Sequence, residues 1–327
     1  MTDYFNSKAI SIIAAKSGVR LDANETSNIE RTLTQLRTTV YEDIYEPLIG
    51  RTLMPFASDI AADADTYSYQ VDSLTGKASI GASSADNPPR VGAKSREVLG
   101  KVYNITDSFG YDVLDIARAA RLGNPLSVRL ARAARTIIEQ GIDTMLAFGH
   151  TGSPGETNTV TSGLLNNTDI EGAGAARVQS LTNWTAASDP DDILGELFAL
   201  SNAPGEETDG AYQPTDMVLP LARFNVINSL KVGVDSDKTV LAWFLSNSTN
   251  VKSVRGWGKA EGIGANSTGR ALVYRKDPMI LEGIVPQEFA MLPPQAKNFE
   301  FEVPCYARCG GVKVYAPSAN AYGDFAA

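Results

Sequence analysis

The longest regular alternation of apolar and polar positions in this chain runs from Asn124 to Gly149. Leu126, Leu130, Ala133, Ala134, Ile137, Gly141, Ile142, Met145 and Leu146 recur at three- and four-residue spacing, with Arg129, Arg132, Arg135, Glu139 and Asp143 between them. That period predicts an amphipathic helix. Asn124 suits the N-cap, Pro125 the first helical position and Gly149 the closing residue. At ~1.5 Å per residue the element is roughly 36 Å long, which suits the spine of an extended molecule better than the wall of a pocket.

Elsewhere the pattern is shorter. Leu33, Leu36, Val40 and Ile44 form one stripe of a helix expected over Asn28–Tyr45, ended by the turn before Pro47. Residues 1–27 carry no core pattern and read as an arm ordered by a partner. From Thr66 to Asp72 the alternation is strict, with Tyr67, Tyr69 and Val71 facing one way, and Val98–Ile105 offers a returning strand. The segment between them is rich in Gly, Ser, Ala and Pro. Such a two-stranded excursion is marginal alone in water, so its stability is expected to come from another subunit.

A helix is expected over Tyr111–Leu122, and Asp189 followed by Pro190 opens another to about Asn202. The strand-like pieces MVLPL and VKSV and the helix-like pieces ARFNVINSL and TVLAWFLSNS then read as a separate α/β lobe. The remainder, ALVYR, EFAMLPPQ, FEFEVPCYA and GVKVYAP, is a run of short strands. No internal repeat occurs.

Composition narrows the function classes. The 327 residues are 43% hydrophobic and 20% charged, an ordinary globular balance, and no run approaches the apolar length of a membrane span or a signal peptide. The default expectation is an intracellular, soluble protein with no membrane partner. Net charge is −9. Between Thr185 and Asp216 lie Asp189, Asp191, Asp192, Glu196, Glu206, Glu207, Asp209 and Asp216 with no base, which reads as a solvated acidic face without the ligand spacing of an EF-hand. A chain so charged is unsuited to gripping a phosphate backbone. Cys305 and Cys309 fall four apart on an expected strand, roughly 13 Å at ~3.3 Å per residue, too far for a disulfide, so buried free thiols are expected.

Catalytic chemistry is thin. The single histidine, His150, excludes multi-histidine metal sites and lies past a helix end among glycines, where a capping or solvent role is expected. No serine sits in a nucleophile elbow. PRVGAKS fails as a phosphate-binding loop because Pro88 and Ala93 stand where glycines are required. No catalytic residue, metal or cofactor is expected.

The order of parts, and several residue stretches, resemble the major capsid proteins of tailed bacteriophages. The stretches are YEPLIGRTLMPF from Tyr45, GLLN at Gly163–Asn166 followed by Trp184, then DPMILEGIVPQEFAMLPPQ and FEFEVPCYARCGGVKVYAPSANAYGD. The resemblance implies an α+β, Hong Kong 97-like capsid fold. Residues 1–58 would be the N-terminal arm and 59–106 the extended loop. Residues 107–187 would be the first part of a peripheral domain with the spine helix, 188–270 the axial domain, and 271–327 the C-terminal strands of the peripheral domain.

The implied function is self-assembly, as pentamers and hexamers, into an icosahedral shell around double-stranded DNA that the wall contacts weakly. Such a virion capsid would be built in the host bacterial cytoplasm, with a separate scaffolding protein, a portal and a decoration protein as further partners. An encapsulin-like cellular shell of the same fold is the alternative, and an enzyme of unknown type a distant one. Candidate inter-subunit contacts are the basic residues Arg118, Arg121, Arg129, Arg132 and Arg135 about the spine, and Lys77, Arg90 and Lys94 on the extended loop. The spine row reads either as a solvated stripe or as a contact with acids of a neighbouring subunit or scaffold.

Overall fold

A computed structural model gives the fold. The chain divides into two units, Met1–Pro47 and Leu48–Ala327. The structure describes residues 46–76, 90–112, 114, 126–150, 161–171, 177–233, 237–298 and 300–327, nearly all of them in the second unit. Residues 1–45 of the expected arm, with the expected helix over 28–45, and the capping pair Asn124 and Pro125 lie outside the described residues.

A single helical turn, α1 (Gly50–Leu53), precedes an antiparallel hairpin of β1 (Thr66–Thr75) and β2 (Gly92–Lys101). One residue, Val102, separates β2 from β3 (Tyr103–Asp112). The spine is α2 (Leu126–Phe148), followed by the paired short strands β4 (Gly149–His150) and β5 (Thr161–Ser162), then α3 (Thr168–Glu171) and β6 (Val178–Leu181). The lobe supplies α4 (Pro190–Glu207), β7 (Asp216–Pro220), α5 (Leu221–Ser229), α6 (Val240–Asn247) and β8 (Ser253–Trp257). Seven strands close the chain: β9 (Arg270–Tyr274), β10 (Leu281–Ile284), β11 (Gln287–Met291), β12 (Gln295–Lys297), β13 (Glu300–Cys309), β14 (Gly311–Val314) and β15 (Ala321–Phe325).

The spine ends where the sequence places its end. Gly149 takes φ +67°, and the GLLN segment closes the helix. Leu164 N and Leu165 N donate to the carbonyls of Leu146 and Ala147 at 2.8 and 3.0 Å, and Asn166 Nδ2 donates to Phe148 O at 2.7 Å. Three of the last four helix carbonyls, which lack intrahelical donors, are thereby satisfied. The packed stripe is Ala134, Ile138, Ile142 and Leu146, joined by Met145. Here the expected pattern needs correction: Ile137 is 55% exposed and Ala133 is exposed, while Ile138 takes the core position. Each residue turns the helix by ~100°, so once Ala134 and Ile142 point at the sheet, Ala133 and Ile137 fall to its flank.

That sheet is built on β13, which pairs along its whole length with β3, Cys309 opposite Tyr103 and Glu300 opposite Asp112. Its other edge holds β11 and β12. Two expectations change here. The returning strand expected over Val98–Ile105 is broken at Val102, which is buried and donates its N–H to Asp65 O at 2.9 Å. The helix expected from Tyr111 starts as strand instead, because Tyr111 stacks on its cross-strand partner Phe301 at 5.8 Å; residues 115–122 lie outside the described residues. Cys305 and Cys309 are buried free thiols on β13, as expected.

A five-stranded sheet in the order β6-β15-β9-β7-β8 separates two cores. Its alternate residues Val218, Leu272, Tyr274 and Tyr322 join the spine core, whereas Met217, Leu219, Ala271, Val273, Ala321 and Phe325 join the lobe core under α4 and α6. Both faces are covered, which is why ALVY and MVLP read as continuous apolar runs. The last strand, β15, lies inside this sheet, between β6 and β9, and Arg270 is the first residue of β9.

Candidate assembly interface

The β1–β2 hairpin is seated at its root and bare at its far half. Tyr67, Tyr69 and Val71 are half-buried, as their alternation predicts. Tyr69 meets Tyr315 edge-on at 4.8 Å and lies 5.5 Å beneath Lys313 Nζ. The ring of Tyr67 crosses Gly100 so closely that a Cβ there would stand 2.2 Å from its Cζ, and burial pushes the Tyr67 hydroxyl pKa up. Beyond the root, Leu74, Val91 and Leu99 are 79%, 78% and 73% exposed. Among the described residues no packing covers these three side chains.

The spine offers the second surface. Arg129, Arg132 and Arg135 are exposed on α2, on the side away from Ala134 and Ile138, with Val128 and Ile137 exposed beside them. Arg90 is exposed just before β2, and Lys94 is exposed on β2 opposite Ser73. The candidates thus divide between two elements, three on the spine and two at the hairpin. Lys77, Arg118 and Arg121 lie outside the described residues. His150 is exposed in β4, 4.7 Å from the Tyr103 ring.

Polar joints that sequence reasoning missed hold these surfaces in place. Asp143, expected on the polar side of the spine, is 2% exposed; its Oδ1 accepts Gly50 N at 2.8 Å and its Oδ2 lies 2.9 Å from Lys259 Nζ. The other end of α1 is gripped as well, with Tyr274 Oη donating to Leu53 O at 2.7 Å and Lys276 Nζ to Thr52 O at 2.5 Å. A carboxylate at the N-terminus and a cation at the C-terminus match the helix dipole.

A second joint centres on Arg270. Its Nε and Nη2 donate to Asp324 at 2.6 and 3.0 Å, and its Nη1 donates to Leu165 O at 3.1 Å and also pairs with Glu171. Tyr322 lies beneath this guanidinium at 4.6 Å, and its hydroxyl donates to Leu164 O at 2.8 Å. The GLLN turn is thus tied to the five-stranded sheet. In the lobe, Glu196 accepts from Trp184 Nε1 at 2.7 Å and from Thr182 N, and Glu207 pairs with Arg177. Asp189 caps α4 by accepting Asp191 N and Asp216 accepts from Thr215 Oγ1, so four of the eight acids are engaged within the subunit, while Asp191, Asp192, Glu206 and Asp209 are exposed.

Across the sheet face carrying Thr106 and Tyr306 runs an open groove of about 940 Å³ with Asp63, Asp65, Leu292 and Arg308 along it. Arg308 donates to Ala62 O at 2.8 Å and to Asp65 at 2.5 Å. Among the described residues no cluster of His, Cys, Asp and Glu could hold a metal.

A sequence profile described as major capsid protein matches residues 76–325, more than two thirds of the chain. The chain belongs to the major capsid protein family. No curated protein sequence matches it. Among solved structures, this capsid protein is similar to the capsid of Myoviridae phage XM1, at 15% identity and a TM-score of 0.77 over 94% of this chain and 100% of that one. It is similar as well to a chain of Mycobacterium phage Bobi, at 14% identity and a TM-score of 0.63 over 92% and 98%. The capsid of a native GTA particle aligns at 11% identity and a TM-score of 0.63 over 94% and 100%. The fold is that of tailed-phage capsids of the Hong Kong 97 type, and the protein is a shell-forming structural protein of the virion capsid.

Proposed function

We propose that this capsid protein assembles as pentamers and hexamers into an icosahedral shell enclosing the double-stranded DNA of a tailed phage, in the cytoplasm of its bacterial host. The observation that carries the reading is the hairpin: Leu74, Val91 and Leu99 stand 73% or more exposed, uncovered by the described residues, on a two-stranded element that is marginal alone. Repetition of one chain about symmetry axes covers such a surface in every copy. In this reading residues 1–58 are the arm and 59–106 the extended loop. The lobe of α4, α5 and α6 is the axial domain, and the spine with the β13 sheet is the peripheral domain.

A net charge of −9 suits a wall that DNA fills without sticking to it, since phosphate binding takes clustered bases. Arg129, Arg132 and Arg135 on the spine and Arg90 and Lys94 at the hairpin serve as contacts between subunits or with assembly partners: a scaffolding protein, a portal and a decoration protein. Light scattering at tens of micromolar over several salt concentrations tests this. Capsomers or closed particles are expected, and a monodisperse monomer under every condition counts against it.

A further inference from the structure

The two faces of the β1–β2 hairpin differ in chemistry. Register sets Leu74 opposite Ala93, Asp72 opposite Ser95, Gln70 opposite Glu97 and Ser68 opposite Leu99, so these residues share one face, and all of them are exposed. Val91, the next outward position beyond Ala93, joins them. Tyr67, Tyr69 and Val71 point the other way, toward the body of the subunit. From its far end the outer face is aliphatic at Leu74 and Val91, acidic at Asp72 and Glu97, and aliphatic again at Leu99. None of these outward residues is basic, and Asp72 and Glu97 have no partner among the described residues. The spine carries a complementary strip. Arg129, Ala133 and Ile137 follow at four-residue steps, each ~40° round the helix from the last, and all three are exposed. Arg129 has no partner among the described residues, and no acid occurs from Leu126 to Ile138. Arg132 is already engaged and Val128 lies on the flank opposite Ile137, so neither enters the strip.

We propose that the outer hairpin face of one copy docks on the Arg129–Ala133–Ile137 strip of a second copy, with Glu97 against Arg129 and with Leu74 and Val91 against Ile137; the proposal rests on the shell reading above. The lengths agree. Ala93, opposite Leu74, stands four strand residues from Glu97, roughly 13 Å at ~3.3 Å per residue. Arg129 stands eight helix residues from Ile137, roughly 12 Å at ~1.5 Å per residue. The small Ala133 between them lets the ribbon approach the helix. Leu74 and Val91 together offer more aliphatic surface than Leu99 alone, which sets Ile137 at the far end of the hairpin, and charge complementarity sets Arg129 at Glu97. Because two different faces meet, the contact is heterologous: each copy gives its hairpin to one neighbour and receives that of another, as a closed ring requires. Nucleic acid is a poor occupant, since the hairpin face offers phosphates two carboxylates and no base.

The test is a charge swap in the full-length chain. Glu97→Arg, Arg129→Glu and the two combined are produced under the conditions used for wild type, and unchanged melting of the unassembled subunit shows that each is folded. Either reversal alone sets like charges together, so the yield of capsomers and particles, read by sedimentation and electron microscopy, is expected to fall at least fivefold. The combination restores an opposite pair and is expected to recover to within twofold of wild type. Ile137→Ser changes a side chain already 55% exposed and is expected to lower the yield while leaving melting unchanged. Wild-type yield from either single reversal, or from Ile137→Ser, overturns the proposal. A combination no better than its single reversals assigns the hairpin to a different base or to a separate partner and also overturns it. Wild-type particles seen in parallel make any of these a failure of this pairing alone; absence of capsomers and shells from wild type speaks against the shell reading and takes the pairing with it.

Discussion

The main-chain N–H of Gly50 donates to Asp143 Oδ1 at 2.8 Å, joining residues 93 apart in sequence at the heart of the subunit. The same carboxylate faces Lys259 of the lobe at 2.9 Å. One aspartate thus fastens three parts: the segment entering from the N-terminal side, the spine helix and the lobe.

Loss of that fastening is expected to be severe. Asp143→Ala leaves Gly50 N–H without an acceptor and the half-buried Lys259 ammonium without its counter-charge, held by Thr144 Oγ1 alone, which costs about 3–5 kcal/mol. Gly50→Ala places a Cβ 2.5 Å from Asp143 Oδ1, so the carboxylate must move, and a loss of about 1–3 kcal/mol is expected. Asp143→Asn keeps an oxygen for Gly50 and is expected to fall between the alanine variant and wild type. Thermal or urea unfolding of the three side by side checks the order.

Arg270 is the second such centre. Its planar group serves Asp324 with two donors while a third nitrogen reaches Leu165 O and Glu171. Lysine cannot reproduce that fork, so Arg270→Lys is expected to lower stability by about 2–4 kcal/mol despite keeping the charge. Hydrogen exchange should show the loss first at the amides of Leu164 and Leu165, which close the spine helix. Protection unchanged there would separate the Arg270 cluster from the helix end.

How much of this was legible follows from the physics of each part. The spine, its end at Gly149, the Asp189 cap and the strand carrying both cysteines came through because local pattern and capping chemistry fix them. Asp189 Oδ1 accepts Asp191 N at 3.0 Å, just as the Asp-Pro pair implies. Asp143 was misplaced because helical period sorts residues into faces and cannot say that a distant backbone N–H and a lysine will meet one of them. The place of β15 inside the lobe sheet was hidden for a like reason: pairing between Ala321 and Val273 is a long-range choice with no local signature. The exposure of Ile137 in place of Ile138 is a shift of one position, which an apolar pair at adjacent positions leaves open.

The cysteines give a prediction in pH. Burial pushes the Cys309 thiol up to about 11, and burial raises Tyr67, Tyr274 and Tyr322 as well. In each case the folded state keeps a proton that the unfolded chain releases, so the unfolded state binds fewer protons and stability falls as pH rises. For Cys309 that loss begins above its ordinary value of 9.0 and is complete past about 11. Both thiols should also resist a thiol reagent at neutral pH until the protein unfolds. Rapid labelling of native protein would contradict their burial.

The hairpin carries the interface claim. Leu74→Ser/Val91→Ser/Leu99→Ser changes side chains that water already reaches, so the stability of the unassembled subunit should change by about 0.5 kcal/mol per site or less. Assembly should fail or require far more protein. Normal particle yield from this variant would remove the hairpin from the contact.

Shell formation itself is tested most directly by negative-stain electron microscopy of the purified wild-type protein, alone and after co-expression with neighbouring genes of its genome. Rings of five or six subunits, or closed isometric particles, are expected. A field of single compact subunits under every condition, co-expression included, would contradict a capsid role for this chain.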